Sequence, residues 1–406
     1  MKILMVNKFH YIKGGSETYY FSLKQLLEEK GHEVIDFSMK DSKNHPSIYE
    51  PYFVDSVDYN KKQGLVEKAK IGVKLIYSKE AKQKFEQLVK DTKPDLVHLH
   101  IFQHQISLSI LDVCKKYHLP VVYTAHDLKM LCPNYRMYAK DGVCERCKNG
   151  KYLECFKNKC LKDSSLKSGI AVLEAKINQW RKSYDIIDHI VTPSEFFEKK
   201  FIDWGIRSER VTYVPNFLIE DTVSYEKTDE NYFLYFGRLS EEKGIGTLLK
   251  AMKTVKTPLK VVGTGPMTEQ LKQFAKQENL DHVFFLGFRS GQELTDLVGN
   301  AKAVILPSEW YENGPYSAIE ALRLARPLIG SDLGGIPELI EEGTNGFIFP
   351  HGKVEALADC LCKMEQLSKE KYKKMEVAAR KLFLKKYTKE VHYANLMAIY
   401  KDALNH

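Results

Sequence analysis

Two glutamates stand eight positions apart in "EWYENGPYSAIEAL" (309–322), separated by Asn-Gly-Pro and a run of small helix-forming residues. Glu312 falls in a loop after the apolar run "AVILPS", with Asn313 as a candidate cap. Glu320 falls near the second turn of the helix that Pro315 opens. That is too deep for a capping acid, whereas a loop carboxylate and a helix carboxylate together suit a polyhydroxylated ligand. Solvated surface charge is the plain alternative. A second pair is cationic. In "YFGRLSEEKGIGTLL" (235–249), Arg238 and Lys243 straddle the passage from a strand-like run to a helical one. A forked donor and a point charge at a helix start suit a diphosphate. A surface ion pair is the competing reading.

Glycine-rich turns follow other apolar runs. Gly14 and Gly15 in "HYIKGGSETYY" let a ligand approach the backbone, with Ser16 as a cap and a helix N-terminus offering free N–H groups to an anion. The spacing is not G-x-G-x-x-G, so no dinucleotide is indicated. Gly263 and Gly265 in "VVGTGP" and Gly334-Gly335 in "SDLGGIPELI" occupy equivalent turns. His126 and Asp127 follow "PVVYTA", where a histidine either faces a ligand or is held as a structural side chain.

The elements that must position these residues repeat in two halves. Apolar runs at 2–7, 95–100, 120–126, 189–194 and 211–217 alternate with helical patterns, and a second series begins at 232–237 and ends at 346–350. Such runs read as strands of parallel sheets buried on both faces. The pattern predicts an α/β chain of two Rossmann-like doubly wound domains facing a cleft, since ligands of such folds bind beyond the carboxyl ends of the strands. The predicted domains are 1–217, 218–390 and a C-terminal helix, 391–406, returning to the first domain. The length of 406 residues agrees with two cores. A net charge of +8 favours an anionic partner or serves solubility alone. No apolar run reaches the ~18 residues of a membrane span. The start "MKILMVNKFH" reads as a strand and not a signal peptide, which places the expected site of action in the cytoplasm.

Taken in order, "GGSE", "TAHD", "VTPSEF", "VPNF", "FGRLSEEKGI", "VVGTGP", "LGF", "ILPSEWYENGPYSAIEAL" and "GSDLGGIPELI" resemble glycosyltransferase family 4 over nearly the whole chain. Glu312-x7-Glu320 is similar to the E-x7-E motif of retaining enzymes with the two-domain GT-B fold. The "SEWYENGP" form resembles that of bacterial enzymes building surface polysaccharides.

The resemblance implies transfer of a hexosyl-type sugar from a nucleotide-diphosphate donor to a glycan or polyprenyl-linked acceptor, as in exopolysaccharide, capsule or O-antigen synthesis. It implies that Arg238 and Lys243 grip the diphosphate, Glu320 binds the ribose hydroxyls and Glu312 contacts the transferred sugar. Gly15 would approach the phosphate and His126 the reacting carbon. Gly14, Gly263, Gly265, Phe288, Gly314 and Tyr316 complete the expected donor site. Here Pro315 stands three residues after Glu312, where the commoner family pattern "EGFGLP" has proline five after. No Asp-x-Asp stands in the proposed cleft, so no catalytic cofactor or divalent metal is expected. A nucleotide-sugar epimerase of the same fold is the nearest rival.

Five of the eight cysteines follow the "AHD" loop in a C-x11-C-x2-C-x7-C-x4-C insertion, 131–164. Cys132, Cys144, Cys147 and Cys160 are the expected ligands of a structural zinc. Free thiols and an iron–sulfur or redox role are the other readings. Such an insertion beside the acceptor side of the cleft is expected to shape acceptor choice. Its spacing fits no standard nucleic-acid finger, and nucleic acid is not an expected partner. Finally, Leu65, Val66, Ala69, Val73 and Ile76 share one helical face flanked by Lys70 and Lys74. That face suits packing on the first domain or peripheral contact with the inner face of an anionic membrane.

Overall fold

The computed structural model describes residues 1–56, 72, 74–104, 106–226, 228 and 230–405. The amphipathic stretch at 65–77 falls for the most part outside the described residues.

Short apolar runs become strands because both of their faces are covered. Lys2–Val6 (β1), Glu33–Phe37 (β2), Leu96–Leu99 (β3) and Val121–Thr124 (β4) open the first sheet. A small hairpin, Tyr138–Ala139 (β5) and Gly142–Val143 (β6), interrupts the series before His189–Thr192 (β7) and Val211–Tyr213 (β8) complete it. The second sheet comprises Phe233–Phe236 (β9), Leu259–Val262 (β10), Val283–Gly287 (β11), Ala303–Leu306 (β12), Leu328–Ser331 (β13) and Gly346–Phe349 (β14). The orders are β2-β1-β3-β4-β7-β8 and β11-β10-β9-β12-β13-β14. All pairings within the two large sheets are parallel.

Each sheet carries apolar clusters on its two faces, so each domain has its own core. Strand order reverses between β1 and β3, and again between β9 and β12. Those are the crevices where an α/β sheet receives ligands.

The chain crosses between domains twice, side by side. Leu218 N–H donates to Tyr387 O at 3.1 Å beside the return crossing. The helix Lys389–Asn405 then packs on the N-terminal domain, where Leu396, Ile399, Tyr400 and Ala403 join the cluster built on Ile3, Met5 and Tyr19. Among the described residues no helix is long and apolar enough to cross a membrane.

Candidate active site

The C-terminal wall of the cleft is built around Gly244. Its left-handed backbone (φ 67°) ends the short turn Glu241–Lys243, and a Cβ there would collide with Pro307 O at the end of β12. This close approach sets Lys243 beside the loop that follows β12. Lys243 Nζ donates to Glu312 Oε1 at 2.6 Å, and Ser308 Oγ donates to the same oxygen at 2.6 Å. Burial pushes the Glu312 carboxyl up, but the Lys243 charge and the hydrogen bonds from Lys243 and Ser308 outweigh it and hold it below the ordinary value.

Gly334 and Gly335 serve this same loop. Gly334 (φ 63°) lies against the Glu312 backbone, and Gly335 N–H donates to Glu312 O at 2.8 Å. Their lack of side chains lets the two loops touch.

Glu320 lies on the helix Tyr316–Arg323 and faces the cleft. Burial raises its carboxyl to about 7, against the opposing charge of Arg323. Among the described residues no side chain hydrogen-bonds it, so both oxygens are open to a ligand. Pro315 itself caps this helix, without a side-chain cap bond. Asn313 does not cap it. Its Nδ2 donates across the cleft to Ala125 O at 2.8 Å, and its Oδ1 accepts from Ser194 Oγ at 3.1 Å. Ser16 likewise lies inside the first turn of its helix, with Gly14 at the cap position.

The N-terminal wall sets uncharged imidazoles beside two charged groups, Asp127 and Arg136. His126 stacks on His100 with 5.4 Å between rings, and their Nε2 and Nδ1 atoms are 3.2 Å apart. Behind them His98 joins Thr124 Oγ1 at 2.8 Å and the Tyr400 hydroxyl at 2.6 Å. Burial drives His126 down to about 3 and holds His98 and His100 well below the ordinary value, so these imidazoles are uncharged at neutral pH. Asp127 beside them is raised to about 6 by burial, with Lys129 and Lys8 opposing, and Asp127 Oδ1 accepts the Lys129 N–H at 2.9 Å.

Between the walls lies a cavity of about 640 Å³. It brings together Gly15, His126, Lys243, Phe288, Glu312, Gly314, Tyr316 and Glu320. Gly15 meets the C-terminal domain directly, since a Cβ there would stand 3.4 Å from the Tyr316 ring. Phe288 is 68% exposed at the cavity, an aromatic face without a covering.

The other expected residues are elsewhere. Arg238 is exposed, outside the cavity lining and without an ion pair among the described residues. Gly14 also lies outside the lining. Gly263 and Gly265 press against the backbone oxygens of Gly237 and Leu239, where a Cβ would collide, so they allow neighbouring loops to pack. Asp127, Trp310 and Tyr311 line the cavity as well. Asp127 had a signal, its place after a strand, but the two aromatics adjoin Glu312 in a stretch read for its acids alone.

The insertion's five thiols line a second cavity, of only about 10 Å³. Cys132 hydrogen-bonds Cys147, which lowers the Cys132 thiol, and Cys155 does the same for Cys160, bringing it to about 7. The expected tetrad of Cys132, Cys144, Cys147 and Cys160 is not assembled here. Among the described residues no three His, Cys, Asp or Glu groups are placed to hold a metal ion.

Two parallel α/β domains with their ligand crevices facing one cleft define the GT-B architecture. The chain superposes on a glycosyltransferase from Rickettsia africae ESF-5 with a TM-score of 0.71 at 16% identity, covering 99% of this chain and 98% of that one. Anabaena Alr3699/HepE, solved in complex with UDP and glucose, gives 0.65 at 19%, covering 99% and 100%. Residues 13–221 match the model of Glycosyltransferase Family 4, and residues 219–382 that of Glycosyl transferases group 1. The chain belongs to glycosyltransferase family 4. An uncharacterised 42.6 kDa protein in the cps region of Klebsiella pneumoniae is 26% identical, covering 84% of this chain and 87% of its own. The amylovoran biosynthesis glycosyltransferase AmsK of Erwinia amylovora is 27% identical, covering 43% and 46%.

Proposed function

We propose that this glycosyltransferase moves a sugar, with retention of configuration, from a nucleoside diphosphate sugar to a glycan or polyprenyl-linked acceptor in surface polysaccharide synthesis. The observation that carries the donor reading is the shared cavity. One wall supplies the half-buried Lys243–Glu312 pair and the open Glu320 carboxyl, and the other supplies uncharged histidines. A nucleoside diphosphate sugar has parts that match. Its ribose diol suits Glu320, its diphosphate suits Lys243 with the Gly15 helix start, and its base suits the open face of Phe288.

Breaking the sugar–phosphate bond builds negative charge on the leaving diphosphate. Lys243 meets that charge in a cavity lined mostly by apolar surface, where such an interaction is stronger than in open water. Arg238 would join it by swinging inward from the surface. Glu312, already engaged by Lys243, is a poor nucleophile, which favours attack from the face of departure without a covalent intermediate. Neutral His126 is suited to accept or donate one hydrogen bond to the sugar and not to carry charge.

The bacterial acceptor class rests on the relatives in a cps region and in amylovoran biosynthesis. A structural metal has the convergence of five sulfurs in its favour and the lack of any ready triad of ligands among the described residues against it; elemental analysis of purified protein decides between them.

The test is a thermal-shift screen of nucleotide sugars, with Glu320→Ala and Arg238→Ala as controls and product analysis to separate transfer from epimerisation. One donor should stabilise the wild-type protein and neither variant. No response to any nucleotide or nucleotide sugar would sink the reading.

A further inference from the structure

The Cys-rich insertion touches the donor side of the cleft at two points, and each lies next to a charged residue of the site. Before the β5–β6 hairpin, Arg136 Nη2 pairs with Glu242 Oε2 at 3.0 Å, and Glu242 immediately precedes Lys243. After the hairpin, Glu145 Oε1 accepts the Tyr311 hydroxyl at 2.8 Å, and Tyr311 immediately precedes Glu312. Lys200 Nζ donates to the same Glu145 oxygen at 2.6 Å, fixing that arm to the N-terminal domain.

Trp310 links the two points. The Arg136 guanidinium lies 5.5 Å from its ring centre and Lys243 Nζ lies 5.2 Å from it. Glu309 N–H donates to Glu242 O at 2.8 Å, so the two donor-side loops are also joined to each other. The arms are set by their own base: Cys144 N–H donates to Met137 O at 2.7 Å and extends the hairpin, while Asn134 Nδ2 donates to Tyr138 O at 2.9 Å.

From this geometry we propose that Arg136 and Glu145 are positioning residues for sugar transfer, acting across the cleft to hold Lys243 and Glu312. The proposal rests on the transferase reading above. A lysine on a flexible four-carbon stem loses catalytic effect when its approach to the leaving group is not preset. The insertion supplies that restraint only when the two domains are together, so the acceptor domain completes the donor site. This is a role on the donor side, distinct from selecting an acceptor.

The experiment follows release of UDP or GDP from UDP-glucose, UDP-N-acetylglucosamine and GDP-mannose, with water as acceptor. Arg136→Ala and Glu145→Gln should each lower kcat about ten-fold while donor KM and melting temperature stay close to wild type. Arg136→Lys should restore part of kcat. Glu145→Gln combined with Tyr311→Phe should be no slower than either change alone, because both remove one contact. Trp310 emission, isolated by difference from Trp310→Phe, should change in Arg136→Ala.

Wild-type kcat in both variants, or losses that follow a drop in melting temperature, overturn the proposal. Additive loss in the Glu145–Tyr311 double variant does the same. If the wild-type protein neither turns over nor is stabilised by any of the three donors, the transferase reading fails and the positioning role falls with it. The Trp310 emission then still reports whether the cross-cleft contact exists.

Discussion

The two walls of the cleft handle charge differently. On the C-terminal wall a buried carboxylate pairs with a half-buried ammonium, and a further carboxyl, Glu320, stands open nearby. On the N-terminal wall the buried groups facing the cleft are chiefly imidazoles without charge. The difference teaches where the ligand's charge must go. A dianionic group entering this cleft would meet Lys243 on one wall and Arg136 on the other, while the imidazoles offer hydrogen bonds without charge.

The sharpest way to break the comparison is to uncouple the buried pair. Lys243→Met keeps much of the side chain's volume but leaves Glu312 buried without its cation. Removing one partner of a fully buried pair typically costs about 3–5 kcal/mol of stability, and the 22% exposure of Lys243 puts the expected loss below that range. On the proposed reading, loss of the Lys243 charge should lower turnover by about 10²–10³-fold. Lys243→Met with Glu312→Gln should recover most of the stability in denaturant unfolding and none of the turnover. Recovery of turnover in the double variant would show that Lys243 serves the pair and not the donor.

Titration compares the walls directly. His98, His100, His126 and His392 are held below the ordinary imidazole value by burial. The unfolded chain therefore binds protons that the fold excludes, and their stabilisation is complete above about pH 6.5 and lost as the pH falls below it. Asp127 on the same wall has the opposite sign but is one group against four. His126→Gln should flatten the acid limb of stability against pH by up to about 1.4 kcal/mol per unit, read by denaturant unfolding from pH 6.5 downward.

Glu320 runs the other way. Its carboxyl, raised to about 7, keeps a proton in the fold that the unfolded chain releases near its ordinary value. Its contribution is present at acid pH and lost as the pH rises through the window from about 4.5 to 7. Glu320→Gln should make stability rise more steeply with pH across that window. The effect is smaller than that of His126 because the shift is smaller. An unchanged slope would mean that the cleft is wetter around Glu320 than its burial implies.

The walls also differ in how much of them the sequence reveals. The sheets are legible because parallel strands buried on both faces must be continuous apolar runs. Glu312, Glu320 and Lys243 are legible because strand ends and helix starts locate them. What hides is pairing between distant positions. Lys243 and Glu312 are 69 residues apart, and nothing local says that one will neutralise the other. Asn313 looks like a cap, yet the other domain provides partners that a local cap does not. Gly263 and Gly265 look like a phosphate loop, but backbone from a neighbouring strand end occupies the space their missing side chains leave. The cysteine spacing suggests four ligands, whereas among the described residues no three such groups are placed to hold a metal ion.

Phe288 sharpens the comparison at its edge and carries the smallest expected effect. The side chain is 68% exposed, so its removal should leave the melting temperature of the unliganded protein within a degree or so. Stacking of a base on an aromatic ring is worth about 1–3 kcal/mol, and the solvent-facing position argues for the low end. Phe288→Ala should then weaken donor binding about ten-fold in calorimetry with little change in kcat. Phe288→Tyr should bind like wild type, because the ring face is kept. If Phe288→Ala instead lowered kcat at unchanged affinity, the base would lie elsewhere and this ring would face the acceptor, which would move the acceptor entrance onto the C-terminal wall.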